Sequence, residues 1–148
     1  MKVLQLFPMS IYVGEVTFSD EQLLFFKGLG QQKIIYEGTY NGRISHDKQV
    51  LNHDISASLK EQVQAAVDEF LLDHYKLRFD GKFFIHRSWI LEHRPGHWSH
   101  AHSHPNSILS GVLYLDVPEK SGEIQFDKPD NYHNWINTDT LRFMVEEW

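Results

Sequence analysis

The clearest change of hydrophobic period in this chain falls at Asp80-Gly81. Before that dipeptide the clearest pattern is helical. In DISASLKEQVQAAVDEFLLDHYKL, residues 54–77, the apolar positions Leu59, Val63, Ala66, Val67, Phe70 and Leu71 recur at i, i+3, i+4 spacing. After it the period is two: KFFIHRSWILEHR, ILSGVLYLDV and GEIQF alternate, separated by Pro, Gly, Asn and Ser. Helical material first and antiparallel β second predicts an α+β protein, with helices packed outside a β-sandwich or barrel. A chain of 148 residues is long enough to bury one real core. One domain over 1–148 is therefore expected, with N-terminal strands and helices in 1–80 and the barrel portion in 81–148.

Local signals refine that outline. VLQLF and SIYVGEVTF read as β-structure, with Pro8 at an edge or bend. SDEQLLFFKGLG places Ser19 and Gln22 at capping-box spacing and closes on glycines, which predicts a short helix. Ser58 and Glu61 offer the same spacing at the head of the long helix, and YNGR (40–43) reads as a turn. The last stretch, TDTLRFMVEEW, has helical character with Thr138 or Asp139 as cap.

The chain has no cysteine, so disulfides, thiolate metal sites and cysteine nucleophiles are excluded together. A net charge of −6 without clustered Lys and Arg argues against nucleic acid as a partner. No stretch approaches the roughly 18 apolar residues of a membrane span. The first residues lack the apolar run and cleavage site of a signal peptide. A soluble, cytoplasmic protein acting on a small molecule or a protein is expected.

The densest chemistry lies in HWSHAHSHPNS (97–107), which holds four of the ten histidines. On a strand, side chains two apart point the same way, with Cα atoms about 7 Å apart. His100, His102 and His104 would then share a face, with His97 on the other, and two imidazoles of an H-x-H pair can reach one ion. Pro105 ends the extension. With imidazole ligands and no thiolate, iron, zinc, copper and nickel all remain open. No Gly-x-Ser-x-Gly elbow supports a serine nucleophile.

The run from Ser88 to Pro129 resembles the 2-oxoglutarate/Fe(II)-dependent oxygenases of bacteria and their phages, relatives of prolyl hydroxylases. The residues that carry the resemblance are SWI, then PGHWSHAHSHPNSILSGVLYLDVPEKSGEIQFDKP. It implies a double-stranded β-helix, a jelly-roll-like barrel with Fe(II) at its mouth. Two His and one carboxylate hold iron in such enzymes, and 2-oxoglutarate is the cofactor whose oxidative decarboxylation drives hydroxylation of a C–H bond. The metal-binding pair maps onto His102 and His104, or one step earlier onto His100 and His102. Tyr114 falls where related hydroxylases contact 2-oxoglutarate. Gly111, Gly122 and Pro118 read as turn and close-packing positions, Trp89 as core, and Asn106 and Ser107 as strand start or substrate contacts.

Two departures from that pattern stand in the sequence. No Asp or Glu follows any histidine of the cluster by two residues, so Glu123 or Asp127 is the candidate carboxylate. The distal metal-binding His and the 2-oxoglutarate-binding Arg have only His133 and Arg142 as candidates, outside the usual context. The tail reads as a replacement or truncation, leaving a barrel that is incomplete and paired with a second copy or a partner chain. Three readings follow: an oxygenase, active or incomplete; a cupin-like metal protein; and a non-catalytic interaction protein derived from the oxygenase fold.

Overall fold

The computed structural model describes residues 9–31, 33–36, 40–78, 80–127 and 140–142. They form an α+β structure of two compact units. The first gathers the described residues of 1–32 and 45–90, the second those of 33–44 and 91–148.

The first unit is helical. Helix α1 spans Asp20–Gln31. Its start is a reciprocal capping box: the Gln22 N–H donates to Ser19 Oγ at 3.2 Å, and the Ser19 N–H donates to Gln22 Oε1 at 2.9 Å. The Gln22 side chain is buried, and its amide also donates to Ile55 O and Ser58 Oγ, tying α1 to the next helix. Helix α2, Ala57–Asp68, is entered through two short 3-10 turns, Val50–Asn52 and Asp54–Ser56. These turns displace the expected Ser58–Glu61 cap. The chain is already winding at Val50, so Ser58 lies inside the helix and its hydroxyl accepts from Gln22.

Helix α2 runs on as a π-helical segment, Glu69–His74, in which the Tyr75 N–H reaches Phe70 O, five residues back, at 3.1 Å. Lys76 in the left-handed region (φ 55°) ends it. The core is Phe26, Leu29, Val50, Leu59, Phe70 and Leu71, all buried. The apolar stripe read from the sequence supplies three of them; Val63, Ala66 and Val67 are half-buried.

SIYVGEVTF is not a β-strand. It is an extended strap along α2, held by side chains: Ser10 to His74, Tyr12 to Glu69, and Thr17 to Gln62, whose amide meets both the Thr17 N–H and its carbonyl. The alternation in the sequence is that of extended backbone. The Thr17 N–H and carbonyl are taken by the Gln62 side-chain amide and not by a neighbouring strand. VLQLF and Pro8 lie outside the described residues.

The second unit contains β1 (Lys33–Tyr36), β2 (Tyr40–Ser45, its last residue in the first unit), β3 (Leu91–Glu92) and β4 (Trp98–Ser99), with β2 pairing the other three. YNGR therefore lies in strand β2, not in a turn, and β-structure precedes the long helix as well as following it. A separate antiparallel pair joins β5 (Gln125–Asp127) to β6 (Thr140–Arg142). The tail expected to be helical is thus a strand at 140–142, because Leu141 and its neighbours find a ladder partner in β5; Thr138 and Asp139 are outside the described residues.

ILSGVLYLDV forms no strand. Ile108, Val112 and Val117 are 70, 64 and 54% exposed, and the segment has no ladder partner among the described residues. A period-two run becomes a strand only through its neighbours' hydrogen bonds.

Candidate metal centre

The histidine segment is positioned by a bulge in the pairing with β2. Arg43 and Ile44 oppose Glu92 and Leu91, whereas Tyr40 and Asn41 oppose Ser99 and Trp98. Between the two pairings β2 advances through Gly42 alone while its partner passes through His93–His97. A tight turn closes this excursion. The His97 N–H donates to Arg94 O at 2.8 Å, with Pro95 second and Gly96 third at φ 82°, the preferences of a type II turn.

Two histidines are consumed by that geometry. His97 Nδ1 accepts the Arg94 N–H at 3.1 Å, so this imidazole caps its own turn. His93 Nε2 meets Ser99 Oγ at 3.1 Å across the base of the excursion. Burial, with the neighbouring His97 adding to it, pushes His93 below the usual imidazole range. Its ring lies over Gly42, where a Cβ would come within 2.7 Å of His93 Cδ2. Motif spacing does not single out His93; its signal is a second histidine pair, His93 and His97, flanking Pro-Gly.

Beyond Ser99 the chain is irregular, so His100, His102 and His104 do not line one strand face. His100 packs on Trp98, ring centroids 4.1 Å apart. His102 Nδ1 donates to His100 O at 2.6 Å, so this ring nitrogen is committed to the backbone. His104 opens a second type II-like turn, in which the Ser107 N–H meets His104 O at 3.3 Å and Asn106 has φ 64°. Asn106 is therefore a turn residue and Pro105 its lead-in. The His104 ring lies 4.9 Å from that of His102, inclined by 76°. Partial burial lowers the pKa of His104, and the adjacent His102 lowers it further, so the ring is neutral and able to ligate at pH 7.

The other expected residues scatter. Tyr114 is 49% exposed, although partial burial of its phenol pushes the pKa up. Glu123 accepts a hydrogen bond from Gln125 Nε2 at 3.4 Å. Asp127 opposes Thr140, and Arg142 opposes Gln125, in the β5–β6 pair. His133 lies outside the described residues. Gly111 and Gly122 are not close-packed, since a Cβ at either would meet nothing within 4 Å. Pro118 opens a turn closed by Ser121, with Lys120 at φ 63°. Trp89 is half-buried.

Among the described residues no group of three or more His, Cys, Asp or Glu is arranged to hold a metal ion. What they supply is a pair of neighbouring imidazoles. A pair falls short of the three protein ligands of a complete iron site.

No helix among the described residues is long and apolar enough to cross a membrane. No curated protein and no solved structure matches this chain. Residues 87–144, which include the bulge, the histidine segment and the β5–β6 pair, match the family described as "Putative 2OG-Fe(II) oxygenase".

Proposed function

We propose that this chain is an oxygenase dependent on Fe(II) and 2-oxoglutarate, with its metal held at the segment His100–His104. The observation that carries the reading is a coincidence of position. The family match over 87–144 spans the place where the imidazole rings of His102 and His104 stand 4.9 Å apart. In this reading His102 and His104 are the nitrogen ligands, and the His102 Nδ1 bond to His100 O holds the ring for Nε2 coordination. The third ligand is assigned to His133, Glu123 or Asp127, and the cofactor contacts to Tyr114 and Arg142. The double-stranded β-helix belongs to the same proposal. Bound iron with 2-oxoglutarate and oxygen would supply the oxidising power; the chain would bind, orient and exclude water. The substrate is a small molecule or protein that presents a C–H bond.

The test is conversion of 2-oxoglutarate to succinate by the full chain, reconstituted anaerobically with Fe(II) and then given oxygen. Succinate that depends on iron and is abolished in His102→Ala supports the reading. Iron retention without succinate favours the cupin-like reading. Failure to retain iron and to respond to 2-oxoglutarate returns the chain to the non-catalytic one.

A further inference from the structure

The bulge that leads into the histidine segment is fastened at its tip and at its base by different side chains. At the tip, Arg94 and His97 satisfy one another in the turn, and Arg94 Nε donates to Glu92 Oε1 at 2.9 Å. At the base, His93 Nε2 meets Ser99 Oγ at 3.1 Å, and Ser99 is the last residue of β4. The His93 ring lies over Gly42, the buried residue of β2 that stands opposite the whole excursion. A Cβ at 42 would stand 2.7 Å from His93 Cδ2, and 3.2 Å from both His93 Nε2 and the Glu92 carbonyl oxygen. Glycine there gives the ring its place.

From Ser99 the contacts continue to the imidazole pair. Trp98 and His100, the neighbours of Ser99 on either side, pack ring on ring with centroids 4.1 Å apart. The His100 carbonyl accepts from His102 Nδ1 at 2.6 Å. His102 in turn lies beside His104, with centroids 4.9 Å apart. Residues 100–104 belong to no strand. The path on which the chain leaves β4, together with these contacts, therefore decides where the two rings stand.

We propose that His93 is a positioning residue for the His102–His104 pair: by holding Ser99 at the base of the bulge, it sets the direction in which the chain enters 100–104. Removing its imidazole frees the base and leaves the tip turn closed, because the tip is held by Arg94 and His97. The fault should then appear at the imidazole pair and not in the turn. Its consequence for metal rests on the oxygenase reading; the placement of the rings does not.

The experiment is NMR of the metal-free full chain, reading the nuclear Overhauser contact between the ring protons of His102 and His104. Wild type should show it. His93→Ala and Ser99→Ala should each weaken it by about half or more, and the double variant no further. His93→Gln, whose amide can still reach Ser99, should restore it. Ser99→Ala removes a single oxygen from an exposed residue, and circular dichroism checks that every variant folds. Anaerobic competition for Fe(II) with a chelating dye should follow the same order, with affinity about fivefold lower in His93→Ala, the scale of one hydrogen bond. A full-strength ring contact in both His93→Ala and Ser99→Ala, its absence from wild type, or failure of His93→Gln to restore it would overturn the proposal. Wild type that shows the contact and its loss in the variants, yet retains no Fe(II), would overturn the oxygenase reading and leave the positioning role standing.

Discussion

The imidazole rings of His102 and His104 stand 4.9 Å apart, and the first has its Nδ1 committed to the His100 carbonyl. Their neighbours do other work: His97 closes the Arg94–His97 turn and His100 lies on Trp98. The histidines of HWSHAHSHPNS are thus divided between a turn, a contact with Trp98 and one adjacent pair of rings.

That division predicts unequal effects on metal affinity. His102→Ala and His104→Ala should each weaken Fe(II) binding by at least about tenfold. His97→Ala should leave it within a few-fold and lower stability instead. Anaerobic competition with a chelating dye measures the first, urea unfolding the second.

Gly42 and His93 are coupled by contact. Replacing Gly42 with Ala puts a Cβ where His93 Cδ2 now lies, so the ring must move into water. The wild-type His93 titrates below its ordinary 6.5 because of burial. Its folded pKa is depressed, so the folded state takes up this proton less readily. Stability therefore falls as pH drops from 6.5 through the folded pKa. In Gly42→Ala the His93 ring proton should titrate closer to 6.5 by NMR. An unchanged midpoint would contradict the contact.

Asp47 pairs with His53 at 2.5 Å, and that hydrogen bond, aided by the Gln49 N–H, holds its carboxyl below the ordinary value near 3.8. The sign is opposite to that of a raised base. The stabilisation is present above 3.8 and is lost as pH falls through the lowered pKa. Acid unfolding of Asp47→Asn should show a shallower loss of stability in that range than wild type.

The α1 cap is testable on its own. Ser19→Ala removes the acceptor for the Gln22 N–H and should cost about 1 kcal/mol. Leu59→Ala, at a fully buried position, should cost about 2–5 kcal/mol. Denaturant midpoints at constant slope measure both.

What the sequence made legible was what local chemistry decides. The Ser19–Gln22 cap and the stripe through Leu59, Phe70 and Leu71 need only their own segment or one buried face, and both are present. Strands depend on partners that the sequence does not name. The same alternation produced the strap at 10–18, where Gln62 replaces a neighbouring strand, and the exposed run at 108–117. YNGR carries turn residues, yet Gly42 serves a close approach under His93 within β2. The H-x-H-x-H spacing predicts three rings on one strand face, but the chain beyond Ser99 is irregular, and the rings that stand side by side are those of His102 and His104.

The most direct measurement of the central claim is anomalous scattering at the iron edge, from a crystal of the full chain soaked anaerobically with Fe(II) and 2-oxoglutarate. The account predicts one peak within bonding distance of the Nε2 atoms of His102 and His104, with a third protein ligand beside it. No peak, or a peak remote from both imidazoles, would contradict it.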